Sequence, residues 1–186
     1  MSIRTSLLAA VALATAACTT MSDGTSMSNP MVGGAAMLST RNIVENAVNS
    51  ADHTTLVAAV KAAGLVDTLS GAGPFTVFAP TNAAFGKHPA GTVDTLVMPT
   101  NKMALTNILT YHVVPGRITA SDIARLAARS GGTATYATVQ GQPLRFSQSG
   151  SGWIVTDAKG GSANITIANV MQSNGVIHVI DTVLMP

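Results

Sequence analysis

The fold of this chain is decided by the stretch Gly73-Pro-Phe-Thr-Val-Phe-Ala-Pro-Thr-Asn-Ala-Ala-Phe85. Aromatic and β-branched residues fill positions 75–78, a composition that predicts a short strand. Pro80 ends this strand, because proline cannot donate a hydrogen bond to a neighbouring strand. Thr81 or Asn82 can then cap a turn of helix. The stretch therefore predicts a strand that leads directly into a helix.

Two later segments are as informative. The first, Ile108-Leu-Thr-Tyr-His-Val-Val-Pro-Gly116, places a Tyr-His pair between branched apolar residues at a predicted junction of helix and strand. The second, Asn174-Gly-Val-Ile-His-Val-Ile-Asp-Thr-Val-Leu184, begins with Asn-Gly, which predicts a type I′ hairpin turn because both residues tolerate positive φ. The strand after this turn is apolar on both faces, so we expect it to be covered on both sides.

The remaining pattern divides the domain into a helical first half and a β-rich second half. Helices are predicted where apolar residues recur at helical spacing, with Ser39 or Thr40, Asp52 and Ser121 as caps and Gly64 as a stop signal. Gly-rich turns separate the predicted strands, which are 133–139, 143–147, 153–157 and 164–171. Helices combined with a mostly antiparallel sheet predict an α+β domain.

In their order along the chain and in their residues, the three quoted segments resemble the two sequence blocks and the intervening Tyr-His motif of fasciclin-like domains. The resemblance covers roughly residues 38–186, about the size of one ordinary domain. It implies a wedge of two small, mostly antiparallel β-sheets flanked by several helices. Family members are mostly extracellular adhesion or matrix-interaction modules, so the resemblance also implies adhesion and not catalysis.

The Tyr-His motif supplies the candidate partner-binding residues. In matrix members of the family the motif is implicated in receptor binding, and the matching residues here are Tyr111 and His112 with their branched neighbours Ile108, Leu109, Val113 and Val114. The alternative is structural, because buried Tyr and His bodies with polar tips can fix a chain reversal. Animal relatives have a second adhesion motif, Asp-Ile, where this chain has Asn169-Val170. Integrin-type binding would therefore lack its acidic group.

The start of the chain predicts export. Residues 1–17 combine one positive charge with an apolar run too short to span a bilayer, as in a secretory signal. Small residues precede Cys18, the only cysteine, as in a bacterial lipobox that makes this residue a lipidated N-terminus. Ordinary cleavage near residues 14–16, leaving a free thiol, is the alternative. Residues 18–37 are predicted to be a flexible tether, and residues 38–186 the folded domain.

Composition limits the classes of function. Charged residues are 10% of the chain and the formal net charge is +2, which excludes a nucleic-acid binder because phosphate binding needs many cations. Low surface charge gives little repulsion between copies, so weak self-association is expected. No histidine has a ligand-like neighbour at i+2 or i+4, and we expect no metal or cofactor. His178, among Val and Ile, is expected to be a core residue that donates to a backbone carbonyl.

Catalysis also lacks its usual signals. There is no Gly-x-Ser-x-Gly elbow, and Glu45 is the single glutamate. We therefore expect a non-enzymatic, bacterial, exported module for adhesion or envelope interaction.

The expected partner is a surface or matrix protein or a polysaccharide. A lipid at Cys18 would hold the protein to a membrane, in the periplasm or at the cell surface; the alternative is secretion in soluble form. A second hypothesis is an envelope protein that binds a small apolar ligand or lipid in a cleft between helices and sheets. An enclosed apolar cavity would favour the ligand carrier, and an exposed apolar patch would favour adhesion.

Overall fold

The computed structural model describes residues 29–87, 91 and 95–186. The predicted signal segment, Cys18, the tether up to residue 28 and His88 lie outside this part of the chain. Its α-helices are α1 (Ile43–Asn49), α2 (Thr54–Ala63), α3 (Val66–Ser70), α4 (Asn82–Gly86), α5 (Lys102–Tyr111) and α6 (Ala120–Arg129). Short 3₁₀ turns at Ala51–His53 and Pro99–Asn101 precede α2 and α5. No helix within the described ranges is long and apolar enough to cross a membrane.

The strands form one hairpin and one larger sheet. Strand β1 (Met31–Val32) pairs antiparallel with β2 (Ala35–Ala36). The larger sheet contains β3 (Phe75–Pro80), β4 (Val113–Pro115), β5 (Thr133–Ala137), β6 (Pro143–Ser149), β7 (Gly152–Thr156), β8 (Ser162–Gln172) and β9 (Gly175–Ile180). Its spatial order is β4-β3-β9-β8-β7-β6-β5, and only the β3–β9 pair is parallel. The mixed architecture of helices and sheet agrees with the predicted class.

The prediction of two small sheets was wrong, because one long strand joins both halves. The first residues of β8 pair with β7 and the others pair with β9. Register shifts between Ile165 and Ile167, and between Ile167 and Val170, interrupt the regular ladder and let the strand bend. At the opposite edges of the sheet, the N–H of Val139 donates to the carbonyl of Val113 at 2.8 Å. The seven-stranded sheet therefore nearly closes on itself.

Helix α1 begins later than the sequence predicted. Its cap is Asn42, not Ser39 or Thr40, because Asn42 and Glu45 form a reciprocal capping box. The Asn42 side-chain oxygen accepts from the Glu45 N–H at 2.9 Å, and the Glu45 carboxylate accepts from the Asn42 N–H at 2.9 Å. Glu45 is thus a capping residue on the exposed surface.

Two other predicted helix caps also differ from the observed ones. Helix α6 begins after Thr119 and not at Ser121, since Thr119 and Asp122 form a second capping box. Asp52 lies inside the 3₁₀ turn that precedes α2 and does not cap that helix. The predicted stop at Gly64 is confirmed: this residue ends α2 with φ 74°, a left-handed conformation that suits glycine.

Part of the predicted tether is folded. Residues 29–37 include the β1–β2 hairpin, and Val32 and Met37 are buried in the apolar core. The Gly33 carbonyl accepts from the Ala51 N–H at 3.1 Å, which fixes the hairpin against the start of the helical region. The folded domain therefore begins before residue 38.

Two apolar cores flank the middle of the sheet. One packs α1, α2, α3 and α5 against β3 and β9. The other packs α6 against the β5–β8 strands. Every residue of β9 is buried, which confirms that this strand is covered on both sides.

The turn between β8 and β9 lies one residue earlier than predicted. Gln172 pairs with Gly175, so Ser173 and Asn174 form the turn, and neither has a positive φ. The type I′ prediction was wrong because tertiary contacts fix Asn174. Its carbonyl accepts from the N–H of Phe75 at 3.0 Å, which positions the turn against β3.

Candidate functional site

Tyr111 ends α5 and is fully buried. Its hydroxyl donates to the Pro143 carbonyl at 3.1 Å and accepts from the Ala158 N–H at 2.8 Å. Burial raises the pKa of the phenol above its ordinary value. The hydroxyl therefore joins α5 to the start of β6 and to the loop after β7.

His112 follows directly and is also buried. Its Nδ1–H donates to the Ile108 carbonyl at 2.8 Å, and Nε2 accepts from the Leu184 N–H at 3.0 Å. This pair of bonds requires the neutral ring with its proton on Nδ1. Burial, the largest cause, lowers the pKa of His112 to about 4. A neutral histidine thus links α5 to the C-terminal segment.

The neighbouring candidates lie mostly in the interior as well. Leu109, Val113 and Val114 are buried, and Ile108 is half-buried. Tyr111 and His112 have hydrogen-bond partners inside the domain, so the structure gives these side chains scaffold contacts. Direct contact with a partner through this motif stays a prediction, and such contact would require the C-terminal segment or α5 to move.

His178 occupies the middle of β9 and has the role that its sequence context predicted. Its Nε2–H donates to the Ile118 carbonyl at 2.9 Å, and the ring stacks on Phe78 with centroids 5.4 Å apart. Nδ1 accepts from the Asn169 N–H at 3.4 Å. Burial lowers the pKa of this ring below its ordinary value.

Asn169, the position where animal relatives carry an acid, is also structural. It lies at the bend of β8 with φ 59°. Its side-chain oxygen accepts from the Ala120 N–H at 2.8 Å, at the first turn of α6. The residue therefore joins the bent strand to the first turn of a helix.

His53 is the buried histidine with an incomplete set of partners. Its Nδ1 contacts the Ser50 hydroxyl at 2.9 Å, while Nε2 has no hydrogen-bond partner among the described residues. Burial, the largest cause, lowers its pKa, while the Ala79 backbone, which faces the ring without a well-formed hydrogen bond to Nε2, opposes this shift. No three His, Cys, Asp or Glu side chains in the described part of the chain are grouped to hold a metal ion.

An apolar cavity lies between the helices and the sheet. It has a volume of about 40 Å³, and α1, α2, α3, α5, β3 and β4 contribute to its wall. The lining residues are apolar except for Lys61 and His112. This position matches the cleft expected for a ligand carrier, although the volume is small.

Two exposed apolar side chains lie five residues apart in the chain, near the start of α5. Met103 is 84% exposed and Met98, just before the 3₁₀ turn, is 51% exposed. We call these two residues the methionine patch. Exposed large apolar side chains mark contact surfaces when they occur together.

Comparison with known families decides the classification. The fasciclin domain family matches residues 51–186. The chain belongs to this family. The matched range includes the three segments whose residues resemble those of fasciclin-like domains, so it confirms that resemblance.

Individual fasciclin-domain relatives agree. Protein sll1483 of Synechocystis sp. is 49% identical over 164 residues, covering 87% of this chain and 83% of that protein. The cell surface glycolipoprotein MPB83 of Mycobacterium bovis is 41% identical over 122 residues, covering 66% of this chain but only 48% of its own length. The FAS1 domain pair of the insect cell adhesion molecule Fasciclin I superposes with a TM-score of 0.70 at 19% identity. That similarity covers 78% of this chain and about half, 51%, of the insect chain, and it shows a shared fold.

The fasciclin motif thus identified buried residues with scaffold contacts, and three of them, Leu109, His112 and Val113, also line the cavity. The sequence analysis missed the methionine patch and the cavity residues of α1, α2 and α3. One signal was available for the patch. Met103 lies off the Leu105–Leu109 stripe of α5, and this spacing indicates an apolar side chain on the polar face of that helix. The cavity left no signal, because its walls consist of the same Val and Leu residues as the packed core.

Proposed function

We propose that this fasciclin domain is an exported, non-enzymatic module that binds a surface or matrix protein, or a polysaccharide, of the cell envelope. The observation that supports this most is the fasciclin match over residues 51–186. Fasciclin domains are generally adhesion modules, and the related fold belongs to an insect cell adhesion molecule. The name of the mycobacterial relative, a cell surface glycolipoprotein, favours placement at the cell surface.

The methionine patch is the proposed contact surface. Met98 and Met103 are exposed apolar side chains, whereas Tyr111 and His112 are buried, so the methionines are more accessible to a partner. Methionine side chains are flexible and polarisable, which suits surfaces that bind proteins of varied shape. A protein partner therefore fits this patch better than a polysaccharide.

An adhesion assay with matched variants tests this proposal. Replacing Met98 and Met103 together by Ser should abolish binding to envelope components while leaving the melting temperature nearly unchanged. Met31→Ser is the control, because Met31 is 60% exposed but lies on the β1–β2 hairpin. If the double variant adheres like Met31→Ser, the patch is not the contact surface. Loss of adhesion in Tyr111→Phe at a temperature where this variant is still fully folded would instead favour the Tyr-His motif.

Anchoring through Cys18 belongs to the same proposal. A lipidated protein should partition into detergent and incorporate a labelled fatty acid, and Cys18→Ser should lose both properties. A mature N-terminus at any other residue, with a free Cys18 thiol, would reject the anchor.

The apolar cavity favours a second function, binding of a small apolar ligand. Its walls come from helices and sheet together, as a ligand carrier requires. Saturable binding of any single-chain amphiphile to the folded domain would support this function.

A further inference from the structure

The apolar cavity offers too few polar groups to retain a buried water. Only Lys61 and His112 are polar among its lining residues, and both ring nitrogens of His112 are occupied by Ile108 and Leu184. A buried water needs two to four polar partners, and cavities without them stay dry. The cavity is therefore suited to hydrocarbon.

A second cavity extends the first one along α2. It has a volume of about 20 Å³ and shares Ile43, Ala47, Leu56 and Val77 with its neighbour. His53, whose Nε2 has no hydrogen-bond partner within the described residues, lines this second cavity. Lys61 lines the first cavity eight residues further along the chain, roughly 12 Å away at the rise of an α-helix. The two voids are separate cavities with these four wall residues in common, and we call the two voids and their shared wall the apolar path between α1 and α2.

Lys61 gives this path a charged entrance. The residue is exposed, near the C-terminal end of α2, while Val44, Val57 and Val66 around the cavity are half-buried. No carboxylate of the described residues lies within 4.0 Å of its ammonium group, in contrast to Lys87, which pairs with Asp181 at 3.5 Å. A cation at the edge of an apolar path recognises a molecule with an anionic head and an apolar tail.

We propose that the path between α1 and α2 binds a free fatty acid, with the carboxylate on Lys61 and the chain directed toward His53. This inference rests on the ligand-binding function proposed above. A single unbranched chain fits best, because the two voids are small and lie side by side with a shared wall. Both are far smaller than the engineered cavity of about 150 Å³ that accepts benzene, so binding must widen the gap between α1 and α2. The short α1 is fixed to the sheet through Ile43 and Asn46, while its Val44 and Ala47 line the path.

The test uses the chain with Cys18→Ser, so that no covalent lipid competes. Laurate, dodecanol and dodecyltrimethylammonium are titrated separately, and heat of binding and melting temperature are measured. Laurate should bind saturably at one site and raise the melting temperature, and the ammonium amphiphile should not. Lys61→Met should weaken laurate roughly fivefold, as for an exposed ion pair, and leave dodecanol unchanged.

A cavity-filling variant locates the site. Ala47 lines both voids, so Ala47→Leu should remove laurate binding while the protein melts at or above the wild-type temperature. The matched control is Ala62→Leu, because Ala62 is exposed on α2. Val44→Phe, at the edge of the path, repeats the test if Ala47→Leu does not fold. Equal laurate affinity in the filled and control variants would overturn the site.

The remaining outcomes separate this inference from the function on which it rests. If laurate and dodecanol bind equally well and Lys61→Met changes neither, the cavity binds apolar ligands but the fatty-acid assignment is wrong. If no amphiphile binds, ligand binding itself fails. Tighter binding of lysophosphatidylglycerol than of laurate would make a lysolipid, not a free fatty acid, the ligand.

Discussion

Gly175 begins β9 at a point where this strand runs against β3. A Cβ at this position would overlap the carbonyl oxygen of Phe75, and the Ile43 side chain is also close. The backbone φ is not in the left-handed region, so the requirement for glycine is one of space and not of conformation. Close approach of two backbones is a recognised reason for glycine in a strand.

We therefore predict that Gly175→Ala destabilises the domain by about 3 kcal/mol, the upper range for overpacking a core. Chemical denaturation of the purified variant measures this change. Gly152→Ala is the control, because Gly152 also lies in a strand and a Cβ there would meet only the Ser149 carbonyl oxygen at 3.7 Å. A similar loss in both variants would show that strand propensity, not the contact with β3, is responsible.

The Tyr111 hydroxyl offers a second test at the level of one side chain. Tyr111→Phe keeps the ring but leaves the Ala158 N–H and the Pro143 carbonyl without this partner. An unsatisfied buried group costs about 1–3 kcal/mol, so the free energy of unfolding should fall by that amount. Tyr136→Phe should change it little, because the Tyr136 hydroxyl has no hydrogen-bond partner in the described ranges and its ring packs on Phe146. Equal effects would argue against the scaffold role.

Sequence reasoning succeeded at single residues where one physical rule dominates. His178 was predicted to be a core histidine because only apolar residues surround it in sequence, and its bond to Ile118 confirms this. It failed at Asn174, where local turn preference competes with three distant hydrogen bonds. Those partners, at Ile43, Leu69 and Gly71, are about a hundred residues away in the chain, and a pattern of neighbours contains no information about them.

At the scale of elements, Asn174 fixes two helices to the β8–β9 turn. Its side-chain oxygen accepts from the Ile43 N–H at 3.0 Å, at the start of α1. Its amide donates to the carbonyls of Leu69 and Gly71, at the end of α3, at 2.8 and 2.9 Å. One amide thus satisfies backbone groups that helix ends leave unpaired.

We predict that Asn174→Ala loosens α1 and α3 together. Removing three hydrogen bonds to partly buried backbone should lower the free energy of unfolding by about 2–3 kcal/mol. Amide hydrogen exchange should accelerate in α1 and α3 more than in α6, which does not contact this residue. Ser173→Ala, one position earlier and exposed, should change neither measurement. Uniform acceleration across all helices would mean that Asn174 supports global stability only.

The element that sequence analysis could not foresee is the length and bend of β8. Apolar and polar residues alternate over its first half, which predicts a strand, but a register shift leaves no clear mark in the pattern. The bend is fixed by Asn169, which has a positive φ and contacts both α6 and His178. The joining of both halves into one sheet therefore depends on a long, bent strand whose tertiary contacts the sequence pattern does not contain.

For the whole molecule, buried neutral histidines connect segments that are distant in sequence. His112 joins α5 to Leu184, which follows β9, and His178 joins β9 to Ile118. Both rings use one nitrogen as donor and the other as acceptor, an arrangement that only the neutral form allows. Protonation of His112 would add an N–H at Nε2, facing the Leu184 N–H. Protonation of His178 would add an N–H at Nδ1, facing the Asn169 N–H.

This arrangement predicts a stability that decreases with acidity. The pKa of His112 is lowered from 6.5 in the unfolded chain to about 4 in the folded one, so the unfolded state binds more protons between these values. Stability is therefore fully present above pH 6.5 and is lost as the pH falls to about 4. The loss from His112 alone is about 3 kcal/mol. His53 and His178 have pKa shifts in the same direction and add to this loss.

The measurement is the free energy of unfolding as a function of pH, compared with that of His112→Gln. The variant should be less stable at pH 7, because glutamine cannot match both bonds, but its stability should fall less steeply from pH 6.5 to 4. Asp181 gives a separate signal at the acidic end of this range. Burial alone would raise the pKa of its carboxyl, but hydrogen bonds from Asn164 and Thr182 hold the pKa below its ordinary value, so this contribution is lost as the pH falls through the folded pKa. Identical slopes for wild type and variant between pH 6.5 and 4 would contradict the assigned neutral state. The steep decrease would then have to come from the other histidines, and His178→Gln would show the reduced slope instead.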